Sequence, residues 1–304
     1  MKIGFIGLGT MGLGMARNLL QKHGSLMVCT TSKEKEKSLS EEGFTVVPSY
    51  AEMADCGIIF LCLPDDGIVE KVTLGEGGLI HVLQESGAIV VDCSTTSPDC
   101  ARMIASAFEE RVGAFLDAPV SGMKARADAG TLTVMVGGLK EAFDEVKPYL
   151  DMIGTTVLYM GASGCGQAAK MINNTAYDIN VAGIAELLPL AVRLGLDPEK
   201  IGEVINSGTG RSYASEFFIP RILKGSFSDG YPVEKAFKDL AHAEETEEAE
   251  AVSLPMTAAA AAVFRRAMEE GFGPLNKGGL IRVKEEEMGV LYRIKRDQTE
   301  GGTS

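Results

Sequence analysis

The chain begins with an apolar stretch, residues 2–7 (KIGFIG), that breaks at once into Gly7-Leu8-Gly9-Thr10-Met11-Gly12 and then into a helical pattern reaching about Lys22. Glycines at this spacing say little alone. Here a strand precedes them, a helix follows, and a second strand at 26–30 ends roughly 18 residues beyond Gly12, which is the setting of a dinucleotide-binding turn. In such a turn Gly7 permits the tight reversal, Gly9 lets the backbone approach a pyrophosphate, and Gly12 lets helix and strand pack closely. The helix start then turns free amides and its positive dipole end toward the phosphates. Glycines serving only a tight turn are the plainer alternative, and the context weighs against it.

Apolar strands recur downstream, at 58–63 (IIFLCL, stopped by Pro64), 88–93 (AIVVDC), 115–118 and 131–136 (TLTVMV), the last two separated by a loop at 119–130. Such strands spaced by helical segments predict an α/β fold with a Rossmann-type doubly wound parallel sheet. From about Gly161 the strand signals stop, and helices are expected at 163–195, 197–206, 217–223, 232–252 and 255–270. The domains expected are a dinucleotide-binding domain over 1–161, an all-helical C-terminal domain over 162–293, and a disordered tail over 294–304, fraying from about Tyr292.

The helix at 163–195 carries the sharpest polar signal. Ser163 is placed to cap it, Pro189 to kink it, and apolar residues recur at Ile172, Ile179, Ile184, Leu187 and Leu188, so most of its faces should be covered. Lys170, Asn173 and Asn174 fall on one face of it, about one turn apart. Buried polar groups of this kind need partners. A snorkelling lysine beside two asparagines satisfied by backbone remains an open reading of the helix alone.

Composition excludes several partners. A net charge of −13 argues against nucleic acid, which needs a basic patch. No apolar run approaches the roughly 20 residues of a membrane span, and the first residues read as a strand rather than a targeting peptide. The six cysteines form no CxxC pair and no metal-ligand spacing with the three histidines, so no metal is expected, and scattered thiols fit a reducing cytoplasm. The acidic stretch after His242 reads as a solvated helix face. Asn173-Asn174-Thr175 matches a glycosylation acceptor by chance.

Five segments taken together carry a resemblance: the glycine loop, DCSTTSP from Asp92, DAPVSG from Asp117, GQAAKMINN from Gly166, and FKDL from Phe237. In order and content they resemble the β-hydroxyacid dehydrogenase family, whose members include 3-hydroxyisobutyrate, tartronate semialdehyde, glyoxylate/succinic semialdehyde and 2-(hydroxymethyl)glutarate dehydrogenases. The resemblance runs over roughly residues 2–290, and DAPVSG with G-Q-x-x-K-x-x-N-N is far more specific than the glycine loop. It implies that Lys170 is the catalytic residue, that Asn174 helps to hold the substrate, and that Ser121 and Gly122 contact its carboxylate. It also implies that Leu63, Pro64, Thr95 and Lys238 line the cofactor, and that the protein is a homodimer or homotetramer. The long apolar helix points the same way.

The chemistry follows from the residue types. Hydride transfer leaves negative charge developing on a carbonyl oxygen, and an ammonium aimed there stabilises it and donates the proton. The expected activity is an NAD(P)-dependent interconversion of a small, anionic β-hydroxyacid and its semialdehyde or oxo acid. An enzyme of the imine reductase kind and a non-catalytic nucleotide-binding module are the alternatives, and Lys170 weighs against both.

Two departures from the family pattern bear on substrate: Met123 and Arg126 stand where glycines are usual. Met123 adds bulk and is expected to resist a backbone angle open to glycine. Arg126 brings a fork-shaped cation that suits a second carboxylate, or else a solvated loop position. Arg211 is expected either to face the substrate or to brace its own loop.

Cofactor choice is read at the end of the second strand, Cys29-Thr30-Thr31-Ser32-Lys33-Glu34-Lys35. No acid stands at Thr30 or Thr31 to repel a 2′-phosphate, and three hydroxyls with Lys33 suit one. NADP is therefore expected to be preferred, with NAD possible, because Thr31 is a weaker phosphate ligand than an arginine.

Overall fold

A computed structural model describes residues 1–30, 32–84 and 86–294. The cofactor role expected of Thr31, and the tail expected beyond Ile294, lie outside the described residues. The chain packs as two compact units, the first Met1–Lys170 and the second beginning at Met171.

The first unit opens with β1 (Ile3–Ile6), α1 (Gly12–His23), β2 (Met27–Cys29), α2 (Lys33–Glu41) and β3 (Thr45–Val47). It continues through β4 (Ile58–Leu61), α3 (Asp66–Thr73), α4 (Leu79–Val82), β5 (Ile89–Asp92), α5 (Pro98–Glu109) and β6 (Ala114–Asp117). Then come β7 (Val120–Ser121), α6 (Met123–Asp128), β8 (Leu132–Gly137), α7 (Lys140–Ile153), β9 (Gly154–Gly161) and the start of α8 (Cys165–Arg193).

The strands form one sheet in the order β3-β2-β1-β4-β5-β6-β8-β7, with β9 beside β8. Strands β3 through β6 are parallel, while β8 runs antiparallel to β6 and β7. The chain leaves β1 first toward β3 and later toward β6, and open α/β sheets bind ligands at the carboxyl ends of strands where the order reverses. That places the candidate site past β1 and β4.

Both faces of the sheet are covered, which is why its strands read as continuous apolar runs. Ile3, Phe5, Ile58, Phe60 and Val91 pack with Met15 and Leu19 of α1 and Val146 and Leu150 of α7. Ile6, Ile59, Leu61 and Val90 face the other way, against Val69 of α3 and Ile104 and Phe108 of α5.

The doubly wound sheet is as expected from the sequence and mostly parallel, except that β8, expected at 131–136, runs antiparallel to β6, and there are three further strands. β3 and β7 have three and two residues, too short for a period to register. β9 reads GTTVLYMG and leaves Leu158, Tyr159 and Met160 exposed, so it lacks the buried signature. The loop expected at 119–130 holds β7 and α6.

The second unit continues α8 and adds α9 (Pro198–Ser207), α10 (Tyr213–Leu223), α11 (Val233–Ala249), α12 (Pro255–Glu269) and α13 (Ile281–Met288), the last preceded by a 3-10 turn at Lys277–Leu280. Helix α10 starts four residues earlier than expected because Ser212 and Ser215 cap it reciprocally. The core gathers Val181, Ile184 and Leu188 of α8 with Phe218, Leu240, Phe264 and Leu280. Pro189 lies within α8, which is assigned as one continuous helix.

The expectation that α8 is covered on most faces fails: Ile172 is 65% exposed and Leu187 59%. A helix of 29 residues is about 43 Å long, and neighbours in its unit pack against one stripe of it. Within the described residues the chain is still anchored at Ile294, whose amide donates to Leu223 O at 3.1 Å. Tyr292 is fully buried, and its hydroxyl donates to Pro198 O at 2.6 Å. Among the described residues no helix is long and apolar enough to cross a membrane.

Candidate active site

The glycine loop separates two duties. Gly7 has φ +101°, and a Cβ there would lie 2.2 Å from Cys62 O; one on Gly12 would lie 1.9 Å from Gly7 O. Those two glycines are required by the packing of β1, α1 and β4. Around Gly9 a Cβ would meet nothing within 4 Å, so the space a pyrophosphate needs is open and the residues fit a dinucleotide. Thr10 is exposed, Met11 half-buried at the helix start, and Leu8 buried. Thr30 Oγ1 accepts from Ser32 N at 3.2 Å, so the two hydroxyls expected near a ribose phosphate share the turn into α2.

The next strand ends join this edge. Cys62 N donates to Ile6 O at 2.9 Å, which ties the start of the Leu63-Pro64 turn to the end of β1. Leu63 N donates to Ser94 Oγ at 2.8 Å, and Ser94 N to Asp92 Oδ1 at 3.0 Å. Half-buried Thr95 is framed on both sides by one amide: Gln167 Nε2 donates to Ser94 O at 2.9 Å, and Gln167 Oε1 accepts from Thr96 N at 3.1 Å.

Asp117 then anchors the start of α8, where the sequence suggested Ser163 as a cap. Its two oxygens accept from Gly164 N at 2.8 Å and Gln167 N at 2.9 Å. A carboxylate at a helix N-terminus satisfies orphan amides and faces the positive dipole end. Even so, burial outweighs these bonds and raises the Asp117 pKa. Burial also lifts Asp92 to about 7, with the nearby Asp117 charge adding to the effect. Asp92 Oδ2 has no hydrogen-bond partner among the described residues.

Lys170 lies one turn beyond Gln167 on α8 and is only 8% exposed. In the second unit, Asn174 Nδ2 donates to Asp239 Oδ2 at 2.9 Å and Asn174 Oδ1 accepts from Asn173 Nδ2 at 3.1 Å. Asn174 is thus held by side chains rather than backbone, while Asn173 itself is exposed. Lys238, half-buried on α11, adjoins Asp239. One turn past Asn174, Asp178 pairs with Lys277 in the interior, under the Tyr177 ring.

Ser121 stands in β7 opposite Thr133 of β8. Gly122 follows at φ +144° and Met123 at φ +60°. Methionine therefore does adopt the left-handed region it was expected to resist, at a cost of about 1–2 kcal/mol. The Arg126 stem lies over Gly122, since a Cβ there would be 2.8 Å from Arg126 Cβ and 2.9 Å from Cδ. Arg211 is exposed and 3.7 Å from Glu216, so it braces its own helix start.

The motifs named Asp92, Asp117, Gln167 and Asp239 without giving them roles. An acid closing an apolar strand was the available signal for the first two. For Lys277 there was none beyond a lone lysine in NKGGL.

A Rossmann sheet with an open glycine turn, followed by an all-helical unit, defines an NAD(P)-binding oxidoreductase. Residues 2–161 match the profile of the NAD binding domain of 6-phosphogluconate dehydrogenase. Residues 164–283 match the NAD-binding profile of NADP-dependent 3-hydroxyisobutyrate dehydrogenase. The 2-(hydroxymethyl)glutarate dehydrogenase of Eubacterium barkeri is 37% identical over 291 residues, covering 95% of this chain and 96% of its own. The 2-hydroxy-3-oxopropionate reductase of Escherichia coli (strain K12) is 33% identical, covering 94% and 97%. A crystal structure of 3-hydroxyisobutyrate dehydrogenase from Salmonella typhimurium matches with a TM-score of 0.83 at 28% identity, covering 93% of this chain and 99% of its own. The chain belongs to the β-hydroxyacid dehydrogenase family.

Proposed function

We propose that the protein interconverts a small β-hydroxyacid and its semialdehyde or oxo acid, with NADP preferred over NAD and Lys170 as general acid and base. The observation that carries this reading is a lysine buried in the second turn of α8, just beyond the anchorage that Asp117 and Gln167 give that helix beside Thr95.

When bound, the nicotinamide accepts or supplies the hydride. Lys170 takes the hydroxyl proton as oxidation proceeds and returns it to the developing alkoxide in reduction. Asn174, its amide turned by Asp239, orients the reacting oxygen. Ser121 and Gly122 hold the substrate carboxylate. Gly7 through Gly12, Thr30, Ser32, Leu63, Pro64, Thr95 and Lys238 hold the dinucleotide, with Thr31 joining them by its place in the sequence.

The exposed Ile172, Leu187 and Leu190 of α8, with Leu194 just past its end, support assembly as a homodimer or homotetramer through this helix. Six free thiols support a reducing cytoplasm.

The test is a panel of semialdehydes and hydroxyacids assayed by nicotinamide absorbance with both cofactors. Lys170→Ala is expected to lower kcat by roughly 10³-fold or more while the NADPH Kd stays within about threefold. A variant keeping about a tenth of wild-type turnover, or a wild type preferring NADH, would count against the corresponding half of the proposal.

A further inference from the structure

The geometry points to Arg126 as a subsite for a second carboxylate, and we infer that the preferred substrate is a dicarboxylate; this rests on the function proposed above. The arginine stem lies across Gly122, so its guanidinium is within one side chain's length of the loop assigned to the first carboxylate. The side chain is partly buried, and among the described residues no hydrogen bond or ion pair of its guanidinium is found.

An unpaired arginine is unusual here, since 42 acidic residues outnumber 29 basic ones. Among the described residues, the elements packed around it carry no acid or one already taken. Asp128, the acid of its own helix, pairs with Lys124. Helix α1 (GLGMARNLLQKH), packed against α6, carries no acid, nor does β8 (LTVMVG) beside Gly122. A guanidinium with no protein counter-ion among the described residues keeps its forked donors for a ligand, and a carboxylate fits that fork bidentately.

The position is also stiff. Asn18 of α1 donates through Nδ2 to Ala127 O at 3.0 Å and Asp128 O at 3.1 Å, and Thr131 N donates to Arg126 O at 2.9 Å. Arg126 therefore projects from a helix fixed at both flanks, as a specificity residue requires. Two anion-holding groups this close suit carboxylates joined by a short carbon arm.

Three alcohols with one reacting centre test the idea: 3-hydroxyisobutyrate, 2-(hydroxymethyl)pentanoate, and 2-(hydroxymethyl)glutarate. The last two carry arms of equal length, the pentanoate without and the glutarate with a terminal carboxylate. Wild type is expected to favour the glutarate in kcat/KM. In Arg126→Met the ratio of glutarate to pentanoate should fall about 10- to 150-fold, the range for a lost charge-assisted bond. Arg126→Lys, which keeps the charge but not the fork, should fall between. NADPH affinity reports folding of each variant. If wild type oxidises none of the three with either cofactor, the proposed function falls and this inference with it. If it oxidises them but Arg126→Met leaves the ratio unchanged, or if wild type favours the pentanoate, this inference alone is overturned.

Discussion

The loop after β1 and the loop after β7 both turn the chain sharply at the end of a strand, by different means. In the first, Gly7 and Gly12 sit where neighbouring backbone leaves no room for a Cβ, and Gly9 sits where nothing is close. In the second, Gly122 is followed by Met123 in a conformation disfavoured for any side chain, held by the β7–β8 pairing on one flank and by Asn18 on the other. The first loop is shaped by exclusion, the second by strain imposed from outside. A geometry fixed by exclusion leaves glycines in the sequence, Gly122 among them; the strain at Met123, imposed by distant anchors, leaves no mark.

The sharpest way to break this contrast is within the first loop. Gly12→Ala places a methyl against Gly7 O and is expected to destabilise the fold by roughly 3–5 kcal/mol, read by chemical denaturation. Gly9→Ala should cost under about 1 kcal/mol of stability yet weaken NADPH binding by about tenfold or more. Comparable instability in both variants would erase the distinction between packing and ligand glycines.

Asp117 is the next largest effect, because it is the kind of outside anchor the second loop depends on. Asp117→Ala leaves two buried amides at the start of α8 without acceptors, an expected loss of about 3 kcal/mol, with kcat falling more than KM rises. Asp117→Asn keeps one acceptor and should recover part of both. Full activity in the alanine variant would remove the anchor from the account of Lys170.

Asp92 tests the same anchored edge through pH. Its folded pKa of about 7 lies above the 3.8 of a free aspartate, so between those values the native state holds a proton that the unfolded chain has released. The resulting stability is fully present below about pH 4 and is lost as pH rises through 7. Asp92→Asn, which mimics the protonated form, should be more stable than wild type at pH 8 by about 1–3 kcal/mol and near equal at pH 4. A constant difference across that window would mean that Asp92 does not titrate there.

The smallest effect belongs to the strained loop. Met123→Gly relieves the left-handed backbone and is expected to gain up to about 1 kcal/mol, after the greater chain entropy of glycine is subtracted. A loss would show that the methionine side chain contributes more by packing than its backbone costs.

These contrasts also explain what could be read from the residues. Strands such as Ile58–Leu61 announce themselves because both faces are buried, and the glycine loop because backbone contacts demand it. Lys170 and Asn174 stood out by helical spacing as polar residues on one face of an apolar helix, whereas their proposed roles, and Ser121 and Gly122 altogether, came from motif resemblance. The Asp117 anchor required knowing that the end of β6 meets a helix start 47 residues later, and the Asp178–Lys277 pair spans 99. The exposed side of α8 was misjudged because apolar spacing records that a face avoids water, not which neighbour covers it.

Asn18 gives the first helix a temporal dimension. Its amide bonds to carbonyls 109 and 110 residues further along. At roughly 5–20 residues per second of synthesis, those carbonyls emerge about 5–20 s after α1 does. Until then the amide has only Gly14 O of its own helix and water as partners, and the helix bearing the nucleotide turn has no α6 to rest on. Contacts of such long range form late and slow the search for the native state. The segment that looks most autonomous in the sequence is thus among the last to be locked, and it is completed by the same helix that carries Arg126.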